Sequence, residues 1–360
     1  MEHAGLIFDS SIHYLDHLGP FCAQLGWPLI VCDGKTAELA RCYPDLEVVE
    51  ADPFNLRIPP RLALCDPKAL FEAAFPFAGV KNILWLPHGN SDKGWKRPFF
   101  EALQDETILA YGQKMIDFIS EKKGPSPFLR IGNFRWNYFL KHKPFYLKKL
   151  AKIGLPPRKN FLYAPTWEDG EQNGTFWNAF PRLAEALPSD CHLLVKLHPN
   201  TERRYASEIE ILKGKYEKRP NLIFLPEFPP IYPLLSLCDA YIGDQSSIGY
   251  DFLKFNRPMY FIDLKKETPD ARSRFLYQCG TAVGLNALHL PFDLREPEDR
   301  SEIRKKVYDY TFDAFDLHKV LKEAETDRST QQEKTISGSP GSRNQDLKLG
   351  PVSSAKFSWN

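Results

Sequence analysis

Short apolar runs recur along the chain, each closed by a polar residue or a glycine and separated from the next by a stretch with helical spacing. Leu6–Phe8, Leu29–Cys32, Val48–Glu50, Leu62–Cys65, Ile83–Leu86, Ile108–Tyr111 and Leu129–Ile131 read as strands. Between them, apolar residues at three- and four-residue intervals predict helices over Ile12–Leu25, Lys35–Tyr43, Pro67–Phe75, Pro98–Leu103 and Gln113–Glu121. Strands alternating with helices imply a mostly parallel sheet covered on its faces. Asp9, Asp33 and the pair His88-Gly89 stand where strands end. No G-x-G-x-x-G follows the first strand, so that dinucleotide fingerprint is missing.

At Gly132–Asn137 a polar stretch, GNFRWN, interrupts the pattern and is read as a turn. A basic amphipathic segment follows over Tyr138–Ile153, with Leu140, Leu147, Leu150 and Ile153 on one side and Lys141, Lys143, Lys148, Lys149 and Lys152 around them. It fits anionic lipid or, more simply, a solvated face at the start of a second domain, and Pro144 breaks any long helix there. A second series of strands then runs Phe161–Ala164, Leu193–Leu197, Leu222–Leu225, Ala240–Ile242 and Met259–Ile262. Helices are predicted between them over Phe176–Leu187, Arg203–Tyr216, Ile231–Cys238 and Ser247–Phe255, with a last one over Glu298–Glu325. The organisation expected is a Rossmann-like domain over 1–134, a second over 135–297, a helix over 298–325 packing back on the first, and a disordered tail over 326–360. Two successive α/β domains imply a cleft between them.

Composition changes this picture little. Charges nearly cancel, at a formal +1, so nothing points to nucleic acid. The seven cysteines form no C-x-x-C pair, which suits small core residues in a reducing cytoplasm. No apolar run approaches the length of a membrane span, and no signal peptide pattern opens the chain. The expected location is cytoplasmic, with peripheral contact at the inner face of the membrane left open by the basic segment.

Five polar turns at strand ends hold the candidate chemistry. His88, Gly89, Asn90 and Ser91 follow one strand, and a lone histidine there is more often structural. Arg135 offers a planar fork suited to phosphate, or is a surface arginine. Pro165 and Thr166 end the YAPTWED strand, where Thr166 caps the next element or meets a ligand. Lys196 and His198 alternate, so they share one side of a largely apolar strand. Asp244, Ser246 and Ser247 are residue types that cap a helix start, and such a start also binds anions. Asp251, one turn on, accepts from a ribose hydroxyl or is merely solvated. Each signal is weak alone. Together they fit a phosphate-bearing ligand.

The order H-G, G-x-x-R, Y-A-P-T-W-x-D, L-H-P, D-x-S-S-x-x-x-D and x-R-P-M, between about Ile83 and Asp263, resembles the CDP-glycerol glycerophosphotransferases, the teichoic-acid polymerases and primases. That resemblance implies a GT-B fold, two Rossmann-like domains facing across a cleft. It implies His88 as general base, with Gly89, Asn90 and Ser91 beside it in the donor site. It also implies Arg135, Pro165, Thr166, His198, Ser246, Ser247 and Asp251 as donor-binding, with His198 counted among the catalytic pair; Lys196, beside His198 on its strand, is expected to join them. The sequence departs from the family at Pro87, Asn90, Asn137, Lys196 and Gln245. The expected reaction moves glycerol phosphate from CDP-glycerol, or a related nucleotide donor, to a hydroxyl acceptor, a lipid-linked one included, releasing CMP with neither metal nor cofactor. A glycosyltransferase or UDP-sugar 2-epimerase on the same fold is the alternative, and a non-catalytic nucleotide-binding scaffold is another.

Overall fold

The computed structural model describes residues 2–9, 11–66, 82–92, 106–168, 174–225, 230–264, 271–294, 296–316 and 319–320. The helices expected over Pro67–Phe75 and Pro98–Leu103 and the tail over 326–360 lie outside the described residues.

The first half forms a seven-stranded parallel sheet in the order β3-β2-β1-β4-β5-β6-β7. Its strands are β1 (His3–Ile7), β2 (Leu29–Val31), β3 (Val48–Glu50), β4 (Arg61–Leu64), β5 (Asn82–Trp85), β6 (Thr107–Ala110) and β7 (Phe128–Arg130). The second half forms a six-stranded parallel sheet, β10-β9-β8-β11-β12-β13. Here the strands are β8 (Lys159–Tyr163), β9 (Cys191–Val195), β10 (Leu222–Phe224), β11 (Ala240–Gly243), β12 (Met259–Ile262) and β13 (Thr281–Val283). Strand β13 escaped the sequence reading because Thr-Ala-Val is too short to show a period; it is fixed by pairing Tyr260 with Thr281.

Both sheets are buried on both faces, as covered parallel sheets must be. Helix α1 (Leu15–Leu25) packs Leu15, Leu18, Phe21 and Cys22 against the first sheet, and Gly26 ends it. Helix α2 spans Gly34–Ala40 and helix α3 Gln113–Lys123. The stretch Gly132–Asn137, expected as a turn, is the start of helix α4 (Phe134–Lys141), because the Asn133 side chain accepts from Trp136 N at 3.1 Å. Helix α5 (Lys143–Ala151) follows at once, with Pro144 in its first turn. The two helices seat Tyr138 and Tyr146 on the carbonyls of Pro44 and Cys42, so the basic segment is anchored on its tyrosine side to the first domain.

In the second domain come α6 (Phe176–Ala186), α7 (Pro199–Arg204), α8 (Ala206–Lys215), α9 (Ile231–Leu237) and α10 (Ile248–Phe252). The single helix expected over Arg203–Tyr216 is two, broken at Tyr205. Helix α11 covers Ser301–Thr311 rather than the whole stretch from Glu298, and Lys319 and Val320 are helical again. After α11 the chain is extended and lies against the first domain. Asp313 N donates to Tyr111 O at 2.8 Å, Asn133 N to Asp313 O at 3.0 Å, and Arg130 pairs with the Asp313 carboxylate. Gly132, at φ 61°, permits this approach: a Cβ there would lie 2.6 Å from Ala314 O.

Candidate functional site

In a doubly wound sheet the chain leaves the centre in one direction and later returns on the other side, and the crevice between the two departures receives ligands. In the first sheet that switch lies between β1 and β4; in the second it lies between β8 and β11. The two switches face each other. Gly89, in the turn after β5, has φ 109°, and a Cβ on it would come within 3.1 Å of Ser247 Cβ across the cleft. The cavity so formed is lined by His88, Arg135, Pro165, Lys196, His198, Ser246, Ser247 and Asp251, all expected from the sequence. It is also lined by His13, Asp16, His17 and Glu202, which were not.

Four expected residues stand elsewhere. Asn90 and Ser91 line a separate small cavity beside Lys114, whose ammonium donates to Ser91 O at 3.2 Å. Thr166 is buried behind the wall, its N–H donating to Asp244 Oδ1 at 2.8 Å. Gly89 contributes the close backbone approach already described.

Arg135 differs from its expected state as an open phosphate fork. Its Nε donates to Asp16 O at 2.8 Å, one terminal nitrogen reaches both oxygens of Asp251 at 2.9 and 3.0 Å, and the other meets the Asp16 carboxylate. Asp16 belongs to the first domain and Asp251 to the second, so the guanidinium ties the two together beneath the cavity. Asp16 also accepts from Ile231 N at 3.2 Å, and Asp251 from Tyr232 Oη at 3.1 Å. Burial raises both carboxyl pKa values, opposed by the nearby guanidinium. Asp251 is accordingly a buried partner of Arg135, not a solvated helix residue. The two halves meet again at Asp92, which pairs with Lys114 at 3.1 Å, accepts from Leu276 N at 2.9 Å and bonds the Tyr250 hydroxyl.

The far wall is held by Asp244. Rather than capping a helix, its carboxylate accepts from Thr166 N, from Thr175 N at 3.2 Å and from Thr175 Oγ1 at 2.8 Å. Ser247 is helical in conformation and makes no side-chain cap bond, and α10 is only five residues long. Ser246 and Ser247 therefore meet the cavity as hydroxyl-bearing residues, not as a capped helix terminus. His198 Nδ1 accepts from Asn200 N at 3.1 Å, starting α7. In the neutral imidazole this places the proton on Nε2.

Four of the chain's nine histidines line the cavity. His13 lies between His88 and His198, with ring centroids 5.4 and 5.3 Å away. His17 shares a 2.6 Å hydrogen bond with Tyr111 Oη through Nδ1, and its ring is 6.5 Å from His88. Burial lowers the pKa of both His13 and His17 well below the usual imidazole value, helped by neighbouring cations and imidazoles. The signal for these two was present in the sequence. His13 and His17 are four apart, hence on one helical face, directly after the first strand. By spacing alone that face is indistinguishable from one side of an ordinary amphipathic helix. Among the described residues no group of three or more His, Cys, Asp or Glu side chains is disposed to hold a metal ion, and no helix is long and apolar enough to cross a membrane.

Residues 147–278 match the family model described as CDP-Glycerol:Poly(glycerophosphate) glycerophosphotransferase. The match takes in Pro165, Lys196, His198, Ser246, Ser247 and Asp251 and stops short of His88 and Arg135. No curated protein matches the chain. Among solved structures it is similar to the wall teichoic acid polymerase TagF, with 13% identity and a TM-score of 0.65 over 93% of this chain and 90% of that one. A variant of TagF has been soaked with CDPG. It is also similar to the UDP-GlcNAc 2-epimerase from Neisseria meningitidis bound to UDP-GlcNAc (12%, TM-score 0.57, covering 91% and 100%). A third likeness is to Anabaena Alr3699/HepE in complex with UDP-glucose (12%, TM-score 0.52, covering 91% and 99%). The α/β fold is thus GT-B-like, two Rossmann-like domains about a cleft, and the resemblance to the CDP-glycerol family holds within residues 147–278.

Proposed function

We propose that the protein transfers glycerol phosphate from CDP-glycerol to a hydroxyl acceptor and releases CMP. The observation that carries this reading is the position of His88, which faces Ser247 and His198 across one cavity, the latter two within the family-matched stretch. The acceptor oxygen attacks the glycerol-bearing phosphorus while His88 takes its proton; the bond from that phosphorus to the CMP oxygen breaks. Phosphoryl transfer asks mainly for positioning and charge stabilisation. Lys196, His198 Nε2–H and the hydroxyls of Ser246 and Ser247 suit the departing CMP. Pro165 and the Thr166 turn, braced by Asp244, support the donor side. A base of this kind contributes on the order of 10²–10⁴ in rate.

The acceptor reading includes a lipid-linked hydroxyl reached from a membrane surface. Leu140, Phe145 and Leu147 are exposed on α4 and α5, at 46%, 37% and 45%, among Lys141, Lys143 and Lys148. Apolar side chains ringed by lysines favour the headgroup region of an anionic bilayer. The competing reading, a UDP-sugar enzyme, is favoured by the ligands of the two further neighbours, UDP-GlcNAc and UDP-glucose. The test is a panel of CDP-glycerol, UDP-glucose and UDP-GlcNAc scored for release of CMP or UDP in the presence of hydroxyl acceptors. CMP release from CDP-glycerol alone is expected. UDP release with CDP-glycerol inert would replace the proposal with the competing one.

A further inference from the structure

The charges lining the cavity do not suit a diphosphate. Among the described residues there, Asp16, Glu202 and Asp251 face Arg135 and Lys196, three carboxylates against two cations. Arg135 is moreover held between Asp16 and Asp251. A diphosphate diester brings two further fixed negative charges. The remaining source of positive charge in the lining is imidazole.

His13 is the best placed of the four. It projects from the turn after β1, at the switch of the first sheet, into the space between His88 and His198. Its Nδ1 is buried and has no hydrogen-bond partner. Buried polar atoms are normally satisfied, and because this ring lines the cavity a bound group with a small shift of the ring can supply the missing partner. We propose that His13 contacts the donor phosphates and takes up a proton from solvent when they bind, supplying the charge that Arg135 is not free to give. This inference rests on the reading of the ligand as a nucleotide diphosphate, but not on which nucleotide.

Every element around His13 bears on its proton. Asp16 and His17 lie on the following helix, His88 in the turn after β5, Lys196 at the end of β9, and His198, Glu202 and Arg203 at the start of α7. With the cavity empty, burial and then His88, His198 and Arg203 hold the ring neutral. Phosphate oxygens against the ring reverse the sign of its surroundings and favour the imidazolium. A hydrogen bond from a charged donor is stronger than one from a neutral ring.

The experiment is calorimetric titration of CDP-glycerol, and separately of UDP-glucose, in two buffers of different ionisation enthalpy near pH 7.5. Neither diphosphate diester titrates near neutral pH, so any buffer-dependent heat reports protons taken up by the protein. Wild type is expected to take up protons on binding. His13→Gln keeps an N–H donor but cannot charge, so it should lose that uptake and bind about 10- to 100-fold more weakly. Binding of UDP-glucose in place of CDP-glycerol, with uptake that His13→Gln removes, would retire CDP-glycerol as donor and leave this inference standing. Binding of either with no uptake in wild type, or with equal uptake and affinity in His13→Gln, would overturn it while leaving the ligand a nucleotide diphosphate. Wild-type binding of neither overturns both. The wild-type measurement stands even if the variant misfolds.

Discussion

The two walls of the cleft solve the same task differently. The second-domain wall is fixed by hydrogen bonds that need no change of protonation: one carboxylate, Asp244, ties the turn after β8 and the residue before α6 to the end of β11. The first-domain wall presents imidazoles, His13, His17 and His88, and its state depends on protons. A rigid wall holds a ligand of constant charge. A titratable wall can accept a proton from an attacking hydroxyl, or gain charge when phosphate arrives. Arg135 belongs to neither. It is the peg between them, and its buried pairing with carboxylates from both domains fixes how the walls face.

The sharpest way to break this comparison is to remove one histidine from each wall. His88→Ala should lower turnover by a factor on the order of 10²–10⁴ with little change in donor affinity. His198→Ala should weaken donor binding as well as turnover. Steady-state rates beside calorimetry distinguish the two, and normal turnover in His88→Ala would discard the assignment of the base.

Arg135→Ala tests whether the peg is structural. Two buried carboxylates would be left facing each other, and loss of one partner of a buried pair costs about 3–5 kcal/mol. Urea unfolding measures it. An unchanged midpoint with donor binding abolished would return Arg135 to the role of phosphate ligand.

Asp244→Ala should cost stability of a similar order. It leaves the N–H groups of Thr166 and Thr175 inside without an acceptor, a cost of about 1–3 kcal/mol each at most, and should loosen donor binding. Full donor affinity in a stably folded variant would show that the second wall does not depend on its brace.

The pH dependence of stability compares proton-sensitive groups directly. His13 and His17 have folded pKa values below the unfolded one, so the unfolded chain binds their protons first as pH falls. Their contribution is complete above the unfolded value near 6.5 and is lost as pH drops toward the folded values, at up to about 1.4 kcal/mol per unit for each. Asp16 and Asp251 act oppositely: their raised folded values make acidification favourable down to the unfolded value near 3.9. Melting temperatures between pH 7.5 and 5 are expected to fall on acidification. A rise would mean that the carboxylates at Arg135 outweigh the histidine wall. The smallest effect concerns metal. With imidazole and Lys196 answering the phosphate charge, activity should persist in large part in EDTA, and complete loss restored by Mg²⁺ would contradict that division of labour.

Where an element depends on neighbours in sequence, the sequence sufficed. The strands of the first sheet and all but β13 of the second were legible because a buried parallel strand is a short apolar run closed by a turn residue. The turns carrying His88, Pro165, Lys196, His198, Ser246 and Ser247 were legible for the same local reason. What the sequence could not decide is which side chains those turns turn toward. Arg135 reads as a phosphate fork until the fold brings it Asp16, 119 residues away, and Asp251, 116 away. Asp244 reads as a helix cap until it meets Thr175, 69 residues earlier. His13 and His17 read as one face of an amphipathic helix, and only docking of the second domain makes that face the wall of a cavity. Apolar spacing is set within a few residues, whereas the partner of a buried charge is chosen by chain folding across the whole molecule, and a charge cannot be assigned its role before its partner is known.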